Sequence, residues 1–414
     1  MAETELIAGG KPLQSAARAA RRALLLGEAA HEFRRTGVAG ADLVEIAKRV
    51  GLTRPSLYNY CSDRNDLARQ CYLHLLDPLV EDLERAAGRG ASGLDGVLEF
   101  LTAARDRDHT HAIIAAELEA LPDEGRREIT ARQHDAFEML AAVIGRGIED
   151  GSVRACDPGI AARTIWGMIA WAPLGDIWAR RAEQVGPGRL AVELPDIVEK
   201  GVSTQVAPAT MDLAGVESWF ALAPPRPVDR AGEIVTTASA LFNARGVEGV
   251  SLDDVAADLG ATKGLIYHHF GSKAELVAAC LERAFDLYAK LLDRAEEQRT
   301  GVERSRAGLA LNVQAQLDPA GPMSLSAAAY HKLGADQQQR FSAMTGALLD
   351  RSIAMMELGN LDGTLRPFEA EPTALASAGT FNFVARWLPR TRALSHRFVA
   401  FEVSNLFLHG LRAG

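Results

Sequence analysis

Apolar side chains near the start of the chain recur at helical spacing. Leu25, Ala29 and Phe33 stand four residues apart, and the pattern stops at Gly37, where glycine can take the left-handed conformation that ends a helix. Leu43, Ile46, Ala47 and Val50 follow at i, i+3, i+4 and i+7, a one-sided stripe. Asp42 and Glu45 have the spacing of a capping pair at the head of that second helix. Gly51-Leu52-Thr53 then predicts a tight turn, and a short polar-faced helix is expected from Arg54 to Tyr60.

The same series is written a second time. Ile234, Ala238 and Phe242 lead to Gly246, and Leu252, Val255, Ala256 and Leu259 repeat the stripe behind Ser251 and Asp254. Gly260-Ala261-Thr262 repeats the turn, with Lys263 to His269 as the short helix. The offset is 209 residues and carries Tyr58 onto Tyr267, Leu67 onto Leu276 and Cys71 onto Cys280 without a gap. Gly151-Ser152-Val153-Arg154 echoes Gly363-Thr364-Leu365-Arg366 at 212, and Trp171-Ala172-Pro173 echoes Trp387-Leu388-Pro389 at 216. An ordered series of echoes at half the length of a 414-residue chain is an internal duplication. Between the copies lie Pro208, Pro224, Pro225 and Pro227, which break helices and stiffen a linker.

Helix, glycine-led turn and short polar helix form a helix-turn-helix, whose second helix can enter the major groove. The string Gly260-Ala261-Thr262-Lys263-Gly264-Leu265-Ile266-Tyr267-His268-His269-Phe270-Gly271-Ser272-Lys273-Ala274-Glu275-Leu276 resembles the DNA-binding domain of TetR-family regulators. The first copy, Gly51 to Leu67, is similar but departs twice. Cys61 stands where the family has Phe, and Arg64 where it has Lys. The resemblance covers about 50 residues per copy. It implies an all-α fold of two tandem units, each a three-helix reader followed by a helical ligand-binding and dimerisation domain, arranged as an intramolecular pseudo-dimer. The expected domains are residues 15–64 and 65–204 for the first unit, 205–228 for the linker, and 229–273 and 274–414 for the second. The 24 linker residues reach up to roughly 80 Å when extended, enough to return the chain to the DNA-facing end. A dimer of two such chains, with four readers, stays open as the rival arrangement.

The candidate DNA-contacting residues are Thr53, Arg54, Ser56, Tyr58, Asn59, Tyr60 and Arg64 in the first copy, and Thr262, Lys263, Tyr267, His268, His269 and Lys273 in the second. Arg can read guanine and Asn adenine through paired hydrogen bonds. Tyr58 and Tyr267 are placed to pack the helix and touch a phosphate, and Arg64 and Lys273 to meet phosphates at the start of the fourth helix. Because the two short helices differ chemically, an asymmetric operator is expected.

Charge changes the picture at this point. The chain carries a formal −9, but what matters for DNA is charge clustered where phosphates lie. Lys11 to Arg64 holds ten basic and five acidic residues, whereas Phe220 to Lys273 holds five and six. The first copy should therefore grip the backbone more strongly. Arg18, Arg21, Arg22, Arg34 and Arg35 supply most of the excess, either as phosphate contacts or as an ordinary solvated face. The weak charge of the second copy motivates an alternative, a ligand-sensing or interaction protein in which only the first copy still binds DNA.

Beyond the readers, Trp166, Met168, Trp171 and Trp178, with Phe381, Phe383 and Trp387 in the second copy, crowd the next-to-last helix of each half. They fit packing at a subunit interface; Trp166, Trp171, Phe383 and Trp387 are also candidates for lining an effector pocket, for an apolar or amphipathic small molecule. No cofactor or metal is expected: His109 with His111 and His268 with His269 lack ligand spacing, and Cys61, Cys71, Cys156 and Cys280 form no paired motif. No phosphate-cradling loop or nucleophile elbow points to an enzyme. Composition rich in Ala, Leu, Arg and Glu, with no long apolar run and no basic-then-apolar start, places the expected protein in the cytoplasm, away from membranes.

Overall fold

A computed structural model describes residues 10–89, 91–106, 118, 121–179, 188–208, 229–388 and 394–414. Every regular element among them is a helix. The first half contains α1 (Gly10–Gly40), α2 (Leu43–Arg49), α3 (Arg54–Leu57), α4 (Arg64–Arg89), α5 (Gly93–Asp106), α6 (Asp123–Glu149), α7 (Pro158–Ala179) and α8 (Gly188–Lys200). The second contains α9 (Arg230–Arg245), α10 (Leu252–Asp258), α11 (Lys263–His269), α12 (Lys273–Glu296), α13 (Gly301–Leu317), α14 (Ala327–His331), α15 (Ala335–Leu361), α16 (Ala370–Asn382), α17 (Val384–Trp387) and α18 (His396–His409). Most of the linker (209–228), with Pro224, Pro225 and Pro227, lies outside the described residues, as do His109 and His111.

Local chemistry repeats with the sequence. Gly37 and Gly246 break their helices at φ 72° and 70°, and Gly51 and Gly260 open the turns at φ 67° and 60°. The expected capping pairs differ. Ser251 and Asp254 form a complete reciprocal box, and those bonds draw the Asp254 carboxyl down to about 2. Asp42 caps the Val44 amide at 2.7 Å, but Glu45 turns instead toward Lys48, at 3.8 Å. The short helix expected over Arg54–Tyr60 also ends early, at Leu57. Asn59 N and Tyr60 N donate to Ser56 O and Leu57 O, three residues back, which tightens the last turn. That turn draws the small Cys61 into the core, 3% exposed, whereas the larger Phe270 stays half-buried beyond a helix that runs to His269.

The helical bodies pack across the duplication. α7 lies along α16, and Gly167 meets Gly379 there: a Cβ on Gly167 would sit 2.4 Å from Gly379 O, and one on Gly379 would sit 2.7 Å from Met168 Cα. The offset at this crossing is still 212, which pairs Trp171 with Phe383 rather than with Trp387. The additional residues enter where α16 stops at Asn382 and α17 restarts at Val384. Trp178, from the first half, is fully buried against Tyr330 and Phe285 of the second, and Trp387 packs on Phe137 of the first.

The ends of α8 and α18 exchange partners. Leu411 N donates to Val198 O at 2.8 Å and Arg412 N to Glu199 O at 2.9 Å, while Val202 N and Ser203 N donate to Leu408 O. Each tail then pairs with the turn of the opposite half: Arg154 N with Leu411 O, and Arg366 N with Val202 O. The Arg154 and Arg366 guanidinium groups repeat the match by donating to Gly410 O and Gly201 O, at 2.7 and 2.6 Å. Gly201 and Gly410 adopt φ 67° and 66°, and a Cβ on either would strike the other tail's backbone at 2.3 and 2.4 Å.

His409 sits at this crossing, 8% exposed, with Nδ1 donating to Gln205 O at 3.0 Å and Arg306 within 3.5 Å of Nε2. Burial, and then the Arg306 guanidinium, hold its pKa down at about 4. The unfolded ring takes a proton near the ordinary value of about 6.5. Below that pH the unfolded chain binds the extra proton, so stability falls as pH drops toward the folded value and is unaffected above it. Moving from about pH 7 to pH 5 should cost wild type about 2 kcal/mol more than His409→Gln in urea unfolding. In the same assay, Gly379→Val should cost at least about 1–3 kcal/mol by overpacking. Gly145→Ala, where nothing lies within 4 Å of the added Cβ, should instead gain about 0.5–1 kcal/mol.

Candidate nucleic-acid interface

Thr53 and Thr262 head the two short helices as N-caps, their hydroxyls accepting from Ser56 N and Leu265 N at 3.3 and 3.4 Å. Their role is thus structural as well as polar. Beneath them Leu57 and Ile266 are fully buried and anchor each helix to its domain. The opposite faces are solvent-exposed: Arg54, Tyr58 and Asn59 in the first half, and Lys263, Tyr267, His268 and His269 in the second. Ser56 is partly covered, its hydroxyl 2.9 Å from that of Thr53.

The two faces are not equivalent. Lys263 is held by Asp253 of α10 at 2.9 Å and lies over the Tyr267 ring at 5.6 Å, and the carboxylate raises its pKa above the ordinary lysine value. In the first half the corresponding positions are Arg54 and Val44, so no carboxylate stands at the place of Asp253. The candidate phosphate contacts Arg64 and Lys273 are both half-buried. Desolvation lowers the Lys273 pKa, with Lys332 adding to the effect and Glu248 opposing it. Lys332 is itself paired with Glu248 at 2.9 Å.

Of the arginines ahead of the first reader, Arg18, Arg21 and Arg22 are exposed. Arg18 lies 6.0 Å from the centre of the Tyr60 ring, and Arg22 donates to Gln70 Oε1 at 2.9 Å. Gln70 Nε2 in turn donates to Tyr60 O at 2.8 Å, which ties α1 and α4 to the end of α3. Tyr60 is therefore as much a joint in this network as a candidate base reader. The side chains of Arg34 and Arg35 lie outside the described residues.

Neither Asp253 nor Gln70 was apparent as a site residue in the sequence. The Asp253-Asp254 pair was a signal of local acidity, but one carboxylate caps a helix and only the fold aims the other at Lys263. Gln70 has no counterpart, since Ala279 occupies its place in the second copy. Among the candidate pocket residues, Trp171 lines a cavity within the second half. Trp166 stacks on Phe100 inside the first, and Phe383 and Trp387 stack on each other at the α7–α16 crossing.

Residues 234–280 match the family model of bacterial regulatory proteins of the tetR family, which spans α9 to α11 and the start of α12. Residues 95–174 match the tetracyclin repressor-like C-terminal domain. The two matches are partial and fall in different halves of the chain. Each TetR-type model falls on a different copy: the reader whose Phe270 and Lys273 follow the family string, and the helical body of the other copy. The chain is 36% identical over 76 residues to the HTH-type transcriptional repressor KstR2 of Mycobacterium tuberculosis, covering 18% of this chain and 38% of that protein. It is 38% identical over 66 residues to the HTH-type transcriptional regulator TtgR of Pseudomonas putida, covering 16% and 31%. The chain thus spans between about a third and two-fifths of the length of these curated relatives. A TetR-family regulator, PfmR from Thermus thermophilus, aligns over 44% of this chain and 98% of its own, at 22% identity and a TM-score of 0.37.

The Asp253–Lys263 pair yields a direct test. Asp253→Asn should strengthen DNA binding at low salt and steepen the slope of log K against log salt by about 0.9, as measured by fluorescence anisotropy. An unchanged slope would mean that Lys263 does not meet a phosphate.

Proposed function

We propose that the chain is a DNA-binding transcriptional repressor whose two helix-turn-helix readers are held side by side by one polypeptide. The reciprocal exchange of tails between the halves carries this reading. Each half supplies hydrogen-bond partners that the other lacks, as two identical subunits would across a two-fold axis. The chain then acts as an intramolecular pseudo-dimer, with residues 15–64 and 229–273 as readers, 65–204 and 274–414 as regulatory bodies, and 205–228 as linker. Thr53, Arg54, Ser56, Tyr58, Asn59, Tyr60 and Arg64 face one half-site. Thr262, Lys263, Tyr267, His268, His269 and Lys273 face the other. Because the two sets differ, the operator is asymmetric.

Release follows from a population shift. A small apolar or amphipathic effector in the helical body favours an arrangement of the readers that no longer fits the duplex. It can do so only by binding that arrangement more tightly than the DNA-bound one.

One observation favours a second reading. Lys263 is neutralised by Asp253 within its own domain, which weakens the counterion-releasing charge of the second reader. On that reading the second half senses, and only the first half binds DNA.

Selection of bound fragments from a random DNA library by the intact chain separates the two. Two unlike half-sites about one helical turn apart, roughly 34 Å, are the expected outcome. Recovery of a single half-site would transfer DNA reading to one copy alone, and absence of enrichment would overturn the repressor assignment.

A further inference from the structure

Within the second half lies a cavity of about 120 Å³, walled by α12, α13, α15 and α16 and by Trp171 of α7. Among the described residues, no Lys, Arg, His, Asp or Glu lines it. Its polar atoms are few. Asn382 is already committed, accepting from Leu325 N and donating to Leu325 O. Thr345 and Ser352 return their hydroxyls to their own helix at Phe341 O and Leu348 O. Asn312 is different: its amide donates to Gly308 O at 2.8 Å, which leaves Oδ1 buried without a partner. Ser305 Oγ and Trp171 Nε1 are likewise buried and unpartnered among the described residues. Unpaired polar atoms in an apolar interior are unfavourable, and three of them around one cavity mark the places where a ligand's own polar groups would be held.

The duplication supplies an internal comparison. Gly93 and Gly301 occupy the same place at the start of α5 and α13, each pressed on a glycine of the following long helix, so the register there is 208. Gly308 therefore corresponds to Phe100, Ser305 to Val97 and Asn312 to Ala104. In α6 and α15 the register is 212, which sets Ser352 against Leu140; the same register in α7 and α16 sets Ala378 against Trp166. Where the second half has a glycine and an alanine, the first half has two large rings. Phe100 and Trp166 stack at 6.2 Å with an interplanar angle of 14°, and Phe137 closes edge-on at 5.5 Å. All three are buried.

We propose that the chain senses through one half only: the cavity of the second half takes a single uncharged, ring-sized molecule bearing a hydrogen-bond donor for Asn312 Oδ1. In the first half, Phe100 and Trp166 occupy the matching space. This rests on reading the helical bodies as effector-binding domains. A carboxylate or phosphate would be buried there without a cation to meet it, which excludes anionic ligands. The size is close to that of a cavity of about 150 Å³ that holds benzene. Trp171 reaches the cavity from α7, one turn beyond Gly167, so a ligand in the second half touches the first half directly.

Phenol and benzoate share one ring and differ in charge at neutral pH, and the phenol carries a donor hydroxyl. Calorimetric titration of the intact chain should give saturable phenol binding at one equivalent per chain, with benzoate more than about tenfold weaker. Gly308→Phe, which copies Phe100, should abolish binding without lowering the thermal midpoint by more than a few degrees. The Cβ there has no neighbour nearer than 3.8 Å. Should that variant fail to fold, Ser352→Leu, which copies Leu140, is expected to weaken binding in the same direction. Two equivalents bound, equal affinity for benzoate, or retained binding in a folded Gly308→Phe chain would each overturn the proposal. So would no saturable binding up to about 1 mM, the weak end of small-molecule affinity. The titration contains no DNA, so its failure leaves the reader assignment untouched. Failure of operator selection would leave the single-site result standing.

Discussion

The last carbonyls of any α-helix lack partners within that helix and must find them elsewhere. In α8 and α18 they find them in the opposite half of the chain. Val198 O and Glu199 O accept from Leu411 and Arg412, and Leu408 O accepts from Val202 and Ser203. A tail that satisfies another half's helix end fixes the separation and the direction of the two ends. The crossing has no room for side chains at Gly201 and Gly410, which is why both positions need the left-handed conformation and the absence of a Cβ. The contact of α7 with α16 at Gly167 and Gly379 follows the same logic at helix level. Small residues let backbones approach, so that Trp178 of the first half is buried against Phe285 and Tyr330 of the second, while Trp387 of the second packs on Phe137 of the first.

Much of this was legible in the sequence because it is local. The apolar stripes, the positive-φ glycines and the N-caps at Asp42 and Ser251 are short-range chemistry that the duplication supplied once in each half, whereas the caps at Thr53 and Thr262 emerge from the structure. What escaped depends on contacts between distant residues. The Arg154–Leu411 pairing joins positions 257 residues apart, and no periodicity announces it. The early end of α3 turns on where a cysteine settles in a small core. The equivalence of Trp171 with Phe383 rather than Trp387 emerges only once Gly167 is seen facing Gly379.

The candidate site was readable to a similar depth. The exposed residues of α3 and α11 could be named from the helix-turn-helix pattern, but not the carboxylate that restrains Lys263 or the Arg22–Gln70 tie to Tyr60. For the helical bodies, aromatic residues drew attention because they are conspicuous in a chain with few of them. The informative residues are instead the small and polar ones, Gly308, Ser305 and Asn312, and their meaning appears only beside Phe100, Val97 and Ala104. A duplicated chain serves as its own reference wherever the register between its halves is fixed, as at Gly93 and Gly301, because volume and polarity can then be compared position by position.

The exchanged tails have one further consequence, for dosage. Two separate subunits pair by a second-order equilibrium, so the paired fraction falls as a cell makes fewer copies. Here both partners are segments of one covalent chain, and their meeting is a first-order event governed by an effective local concentration. Dilution cannot part the halves. On the proposed single-chain reading, a cell holding a handful of copies keeps each one assembled, and the response to a change in expression scales with the number of chains rather than with its square.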